Sequence, residues 1–181
     1  MAWTAPITFV GNQTLTSTVM NTYLRDNLLE LAPAKATTQS SFFIGAAANS
    51  LVERKVAGKR VNTSQGTTSN TYTDLATTGP SVTLSTGVNA IVIIAAFMSQ
   101  SINSGFAGMT WASSGATTNA ASDTWSLQLE GVKAGNPVSA CSWYRTNSLN
   151  AGTNTFTAKY RRSSAGGTAT FANRIIIVLP V

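Results

Sequence analysis

The chain has 181 residues, of which 43% are hydrophobic but only 10% charged, far below the usual quarter. Twelve basic against six acidic residues leave a net charge of +6, a thin, scattered excess that reads as a mildly basic surface and disfavours nucleic acid as partner. With no histidine and a single cysteine, the commonest general base and metal ligand are missing and an intrachain disulfide is excluded.

The polar surface must then be built from Thr, Ser, Asn and Gly. Thr favours strands, because its branched Cβ restricts χ1 and packs well on a pleat. The composition points to a mainly β protein whose weakly repulsive surface suits an assembly.

Residues 1–15, MAWTAPITFVGNQTL, hold Trp3, Pro6, Phe9 and Val10 without a long period. They read as an extended arm that packs on its own domain or on a neighbour. The start lacks the basic and apolar regions of a signal peptide, which predicts a protein made in a cytosol. Residues 16–31, TSTVMNTYLRDNLLEL, are the helix candidate. Met20, Leu24, Leu28 and Leu31 form one stripe, widened by Val19 and Tyr23. Thr16 or Ser17 can cap the start, and Pro33 stops the helix at or before Ala32. About four turns is too short for an isolated helix, so the stripe has to dock. Residues 32–40 read as a linker.

From residue 41 the pattern turns to short β-like runs. SFFIGAAA reads as a first strand and SLVERKVAG as strand or helix. GKRVNTSQGTTSN reads as turn-rich, and TYTDLA and SVTLST as strands split by Gly79-Pro80. VNAIVIIAAFM, residues 88–98, is apolar on both alternating sets, which predicts a central strand covered on both faces, the second by a subunit interface. FAGMTWA is a further strand, and SSGATTNAASD a long polar loop. TWSLQLEG sets Trp125, Leu127 and Leu129 on one face. In VSACSWYR, Cys141 reads as a small buried apolar residue.

In NTFTAKYRR, alternation sends Phe156, Ala158 and Tyr160 inward and Lys159 and Arg161 outward. Arg162 begins a turn. That stretch, SSAGG and TATFANRIIIVLP read as a terminal hairpin turning at Gly166-Gly167. Phe171 points inward, and Arg174 marks a bulge or an exposed point. IIIVL is too apolar for a free edge and belongs in mid-sheet or at a subunit contact. Eight or nine strands spaced by about ten residues predict a jelly-roll-like antiparallel β-sandwich over residues 41–181. An N-terminal extended arm and one short helix, residues 1–35, precede it as an anchor.

No pattern carries catalysis. The six carboxylates, Asp26, Glu30, Glu53, Asp74, Asp123 and Glu130, form no D-x-D-x-D-G loop, and Asp74 and Asp123 read as turn residues. G-x-S-x-G, Walker A, G-x-G-x-x-G and S-x-x-K patterns are missing. The expectation is no enzyme, no catalytic residue, no metal and no cofactor. The longest apolar runs are half a membrane span, so no membrane insertion is expected.

The N-terminal WTAPITFVGNQTLTSTVMNTYLRDNLLEL resembles a stretch recurrent in structural proteins of tailed bacteriophages and prophages. The resemblance rests on Trp3, Pro6, Val10-Gly11, Leu15-Thr16, Asn21 and Leu24-Arg25-Asp26-Asn27-Leu28. TYTDLATTGPSVTL, SGAT, AASDTWSL and GTNTFTAKYR resemble further blocks of such proteins. The resemblance implies a non-enzymatic virion component, of tail, fibre, spike or head, made in the host cytoplasm and often homotrimeric. On that reading Trp3, Pro6, Phe9, Leu24, Leu28 and Leu31 dock to other virion proteins. Lys159, Arg161 and Arg162 offer a secondary surface contact. The alternative expectation is a module of a fibre or spike that binds a host receptor or cell-surface glycan.

Overall fold

The computed structural model describes residues 4–5, 7–29, 31, 35–130 and 134–181; Trp3 and Pro6 lie outside them. The chain divides into two units, residues 1–55 and residues 56–181.

In the first unit, α-helical Ser17–Met20, π-helical Asn21–Arg25 and α-helical Asp26–Leu29 follow one another directly. The Thr16 hydroxyl accepts from the Val19 amide at 3.2 Å and supplies the N-cap. The wide middle turn closes through the Asp26 amide onto the Asn21 carbonyl. In such a turn a spacing of four no longer returns to the same face. Met20 and Leu24 still line one groove, whereas Leu28 and Leu31, beyond the wide turn, do not. The buried residue of the helix is Asn27. Strands β1 (Ser41–Ala47) and β2 (Ser50–Lys55) then pair as an antiparallel hairpin that forms its own sheet. SFFIGAAA is thus not the first strand of the sandwich.

The second unit is an antiparallel, jelly-roll-like β-sandwich of nine strands in two sheets. The first sheet has the order β5 (Ser81–Thr86), β10 (Gly152–Arg162), β7 (Phe106–Gly115), β8 (Leu127–Glu130). The second has the order β3 (Ala57–Val61), β11 (Ala169–Pro180), β6 (Ala90–Gln100), β9 (Val138–Thr146). Strand β4 (Gln65–Thr67) pairs with β11 beyond β3. Two of these strands, β3 and β4, fall in GKRVNTSQGTTSN, where turns were expected. TYTDLA forms no strand, only a bridge from Thr73 to Tyr160.

Alternation builds the core. Val92, Ile94 and Met98 of β6 and Phe171, Ile176 and Val178 of β11 meet Met109 and Trp111 of β7 and Phe156 and Tyr160 of β10. The aromatic pairs are offset: Trp111 lies 5.4 Å from Phe156 and Tyr160 lies 4.8 Å from Phe171, centroid to centroid.

Three expectations about the C-terminal half need correction. β10 and β11 are not a hairpin: β10 pairs with β5 and β7, β11 with β3, β4 and β6. The chain between them, with Gly166 and Gly167 at φ 106° and 75°, crosses from one sheet to the other. The two strands carry their aromatics toward each other, and such packing is made between sheets, not between neighbours in one sheet. Of the two readings of Arg174, the bulge holds and the exposed point does not. A bulge between Ala172 and Ile175 inserts one residue, with Asn173 at φ 50°, and switches the inward set of β11 from odd to even positions. Arg174 is thereby carried inward and is 0% exposed. Cys141, expected inside, is exposed, because β9 turns Ala140, Ser142 and Tyr144 inward and the odd positions out. Its neighbour Ala140 is as small and apolar, so composition did not separate the faces.

Candidate functional site

The outer face of the β3-β11-β6-β9 sheet carries an apolar patch. Register places its side chains in rows. Trp143, Ile93, Ile177 and Gly58 lie opposite one another across four strands. Cys141, Ala95, Ile175 and Arg60 form the next row, and Arg145, Ile91 and Leu179 the row on the other side. Gly58 has a reason: a Cβ there would stand 3.3 Å from Ile177 Cγ1, so glycine lets Ile177 lie over β3. Trp143 is 69% exposed and Phe97 44%. A tryptophan on an edge strand, backed by isoleucines instead of charges, belongs to no core and is costly to leave in water. The run VNAIVIIAAFM is central, as expected, and this is its second face.

The first unit holds a groove of about 450 Å³ lined mainly by Phe9, Val10, Leu15, Met20, Tyr23 and Leu24. Of the docking candidates, the structure brings Phe9 and Leu24 together there. Leu28 and Leu31 are exposed outside it. Arm and helix are tied by Asn27, whose Oδ1 accepts from the Thr4 amide at 2.9 Å while its Nδ2 donates to the Thr4 carbonyl at 3.0 Å.

The basic cluster of β10 is partnered. Lys159 pairs with Asp74 at 2.7 Å, and Arg162 donates to the carbonyls of Thr68 and Ser163. Arg161 Nη2 reaches both carboxylate oxygens of Asp123 at 2.8 Å. Its guanidinium lies between the rings of Phe106 and Tyr72, 4.6 and 5.1 Å from their centroids. Asp74 and Asp123 thus bind cations through their side chains; Asp123 also closes a turn, its carbonyl accepting from the Ser126 amide at 3.2 Å.

Asp123 sits at the centre of a fixed polar group. It accepts from the Tyr72 hydroxyl at 2.6 Å and from Gln128 Nε2 at 3.2 Å. The bond from Tyr72, followed by those from Arg161, holds its carboxyl below the usual carboxylate range despite some desolvation. The loop carrying it is pinned. The buried Asn154 accepts from the Thr117 amide at 2.7 Å, Thr110 Oγ1 donates to the Ser122 carbonyl at 2.8 Å, and Trp125 Nε1 donates to the Trp111 carbonyl at 3.0 Å. A cleft of about 570 Å³ runs between residues 70–72 and 120–123, with Arg161 in its wall. Sequence reasoning named Arg161 as a surface contact and 113–123 as a long polar loop, but missed Tyr72 and the meeting of all three, which pairing of distant segments supplies.

Among the described residues, no group of three or more His, Cys, Asp or Glu side chains could hold a metal ion, and no helix is long and apolar enough to cross a membrane. No protein-family model matches the sequence, and no curated protein matches it. Among solved structures, the chain is similar to the Eiger TNF from S. frugiperda, at 11% identity and a TM-score of 0.44, over 70% of this chain and 91% of that one. It is also similar to the CBM22-1 xylan-binding domain of Paenibacillus barcinonensis Xyn10C, at 16% identity and a TM-score of 0.34, over 80% and 89% of the two chains.

Proposed function

We propose that the chain is a non-enzymatic structural subunit of a bacteriophage virion that assembles as a homotrimer through the outer face of the β3-β11-β6-β9 sheet. The observation that carries this is the apolar row of Trp143, Ile93 and Ile177, in which Trp143 is exposed and the two isoleucines are half-buried. A second copy is the fitting occupant, because closed symmetry covers the same patch on every subunit and leaves none exposed. The N-terminal resemblance to phage structural proteins supports the virion, with Phe9 and Leu24 as the part of the anchor that docks to a neighbouring protein. Light scattering on the purified chain tests the assembly. A trimer that becomes monomeric in Trp143→Arg, with the fold intact by circular dichroism, is the expected result. A wild-type monomer at micromolar concentration defeats it. Deleting residues 1–35 and measuring incorporation into particles tests the anchor; unchanged incorporation removes it.

A second reading is a receptor- or glycan-binding module of a fibre or spike. The pinned loop around Asp123 and the cleft beside it favour it, since polar groups held in place by supporting hydrogen bonds bind with little reordering. Binding of the isolated protein to a glycan array or to host cells tests that reading.

A further inference from the structure

We propose that the cleft between residues 70–72 and 120–123 is a site for a neutral carbohydrate, gripped through hydroxyls by Asp123 and Arg161. This rests on the second reading above and names its site and ligand class.

Asp123 Oδ1 accepts from Tyr72, from Arg161 Nε and Nη2, and from Gln128. Oδ2 accepts from Arg161 Nη2 alone. Each carboxylate oxygen has about two acceptor positions; Oδ1 is crowded beyond that by shared, longer bonds, whereas Oδ2 keeps one position open. Arg161 Nη1 makes no hydrogen bond among the described residues, so a spare donor accompanies the spare acceptor on one rigid pair. A sugar hydroxyl both donates and accepts, and two adjacent hydroxyls match this arrangement.

Charge decides between neutral and ionic ligands. Arg161 is bound to Asp123, and on the same face of β10 Lys159 is bound to Asp74. The local charges cancel in pairs. A phosphate or sulfate would meet the Asp123 carboxylate, and a cation would meet the guanidinium. Neither gains a net field, whereas a neutral polyol meets no opposing charge. The cleft's volume lies within the range of small-molecule sites, about 300–1,000 Å³. Its loop needs no reordering, because Thr110, Asn154 and the Trp125 indole already hold it, which lowers the entropic cost of binding.

The test uses the full chain on an array of neutral and acidic glycans, followed by titration calorimetry with the best neutral oligosaccharide. Two variants are compared: Asp123→Asn, which removes the carboxylate charge, and Ala120→Trp, which fills the cleft from an exposed position. Both are expected to weaken binding at least tenfold, with oligomeric state unchanged. If Asp123→Asn also lowers the melting temperature, Ala120→Trp decides. Neutral-glycan binding untouched by both variants overturns this site while leaving glycan binding itself in place. No neutral glycan bound overturns site and second reading together. Binding confined to acidic glycans overturns the neutral class.

Discussion

Arg174 stands over the ring of Tyr160, its guanidinium carbon 5.3 Å from the ring centroid, although the two belong to opposite sheets. Both donate to one atom. The Tyr160 hydroxyl reaches the Gly79 carbonyl at 2.8 Å and Arg174 Nη1 reaches it at 3.3 Å. Arg174 also donates to the Thr77 carbonyl, to Thr63 Oγ1 and to Gln65 Oε1. A buried cation is thus solvated by neutral oxygens from β4, the turn before it and the loop that leads on to β5.

Removing that cation should be far costlier than removing the phenol. Tyr160→Phe loses one hydrogen bond whose acceptor keeps Arg174, a loss of about 1 kcal/mol. Arg174→Met strands the Thr77 carbonyl and the Thr63 hydroxyl and should cost about 3 kcal/mol. Denaturant midpoints rank the two variants. Equal midpoints would show that the guanidinium merely fills space. Burial also pushes the Tyr160 hydroxyl far above the usual phenol range, against the pull of Arg174. The folded state therefore holds this proton more tightly than the unfolded chain. Its contribution is complete below the ordinary value of 10 and declines as pH rises beyond it, a loss that Tyr160→Phe should abolish.

The bulge that carries Arg174 inward depends on Asn173, at φ 50°. Asn tolerates this left-handed conformation better than most residues. Asn173→Gly should be neutral to within about 0.5 kcal/mol, whereas Asn173→Val should cost about 1–3 kcal/mol. Thermal melts of the two variants check this, and equal melting temperatures would mean that the bulge relaxes away.

These two residues also show what the sequence could and could not reveal. Strict alternation made Phe156, Tyr160, Leu127 and Leu129 legible as core, because a two-residue period survives any arrangement of sheets. It failed at Arg174, where one inserted residue reversed the phase, and at Cys141, where both faces of β9 carry small apolar residues. It failed again at the β10–β11 connection, since a glycine turn between two strands looks alike whether they pair or part to opposite sheets. Tyr72 and Arg161 flank Asp123 only because the Tyr72 segment bridges to β10 at Thr73 and Tyr160. Local spacing contains no trace of that.

In the first unit, Glu53 should make the segment before β1 sensitive to acid. Its carboxylate accepts from Ser41 Oγ, from the amide and hydroxyl of Thr37, and from the Thr38 amide at 2.8 Å. The bonds from Ser41 and Thr37 lead in drawing it from an ordinary 4.5 to about 2, partial desolvation opposing. A depressed carboxylate stabilises the folded state above its unfolded value and loses that contribution as pH falls through its folded one. Amide exchange at Thr37 and Thr38 should therefore accelerate, relative to the sandwich, as pH drops from 4.5 toward 2. Glu53→Gln should show the faster exchange already at pH 6 and little further change. Protection that is flat with pH in the wild type would remove Glu53 from this role.

Asn27 is the remaining test of how the arm is held. It is the buried residue of the helix, and it exchanges two hydrogen bonds with the backbone of Thr4 while donating a third to the Tyr23 carbonyl at 3.2 Å. An isosteric apolar side chain cannot reproduce this, so Asn27→Leu should free the arm while leaving the helix stripe unchanged. The two bonds lost to Thr4 are worth about 1 kcal/mol each, which together correspond to roughly thirtyfold faster proteolysis between residues 7 and 15 when cleavage follows the open population. The β-sandwich should melt as before. If the groove of Phe9 and Leu24 is the surface that docks, the same variant should also weaken incorporation into particles, because the arm supplies one wall of that groove. Faster cleavage with full incorporation would separate the two roles and leave docking to the helix alone.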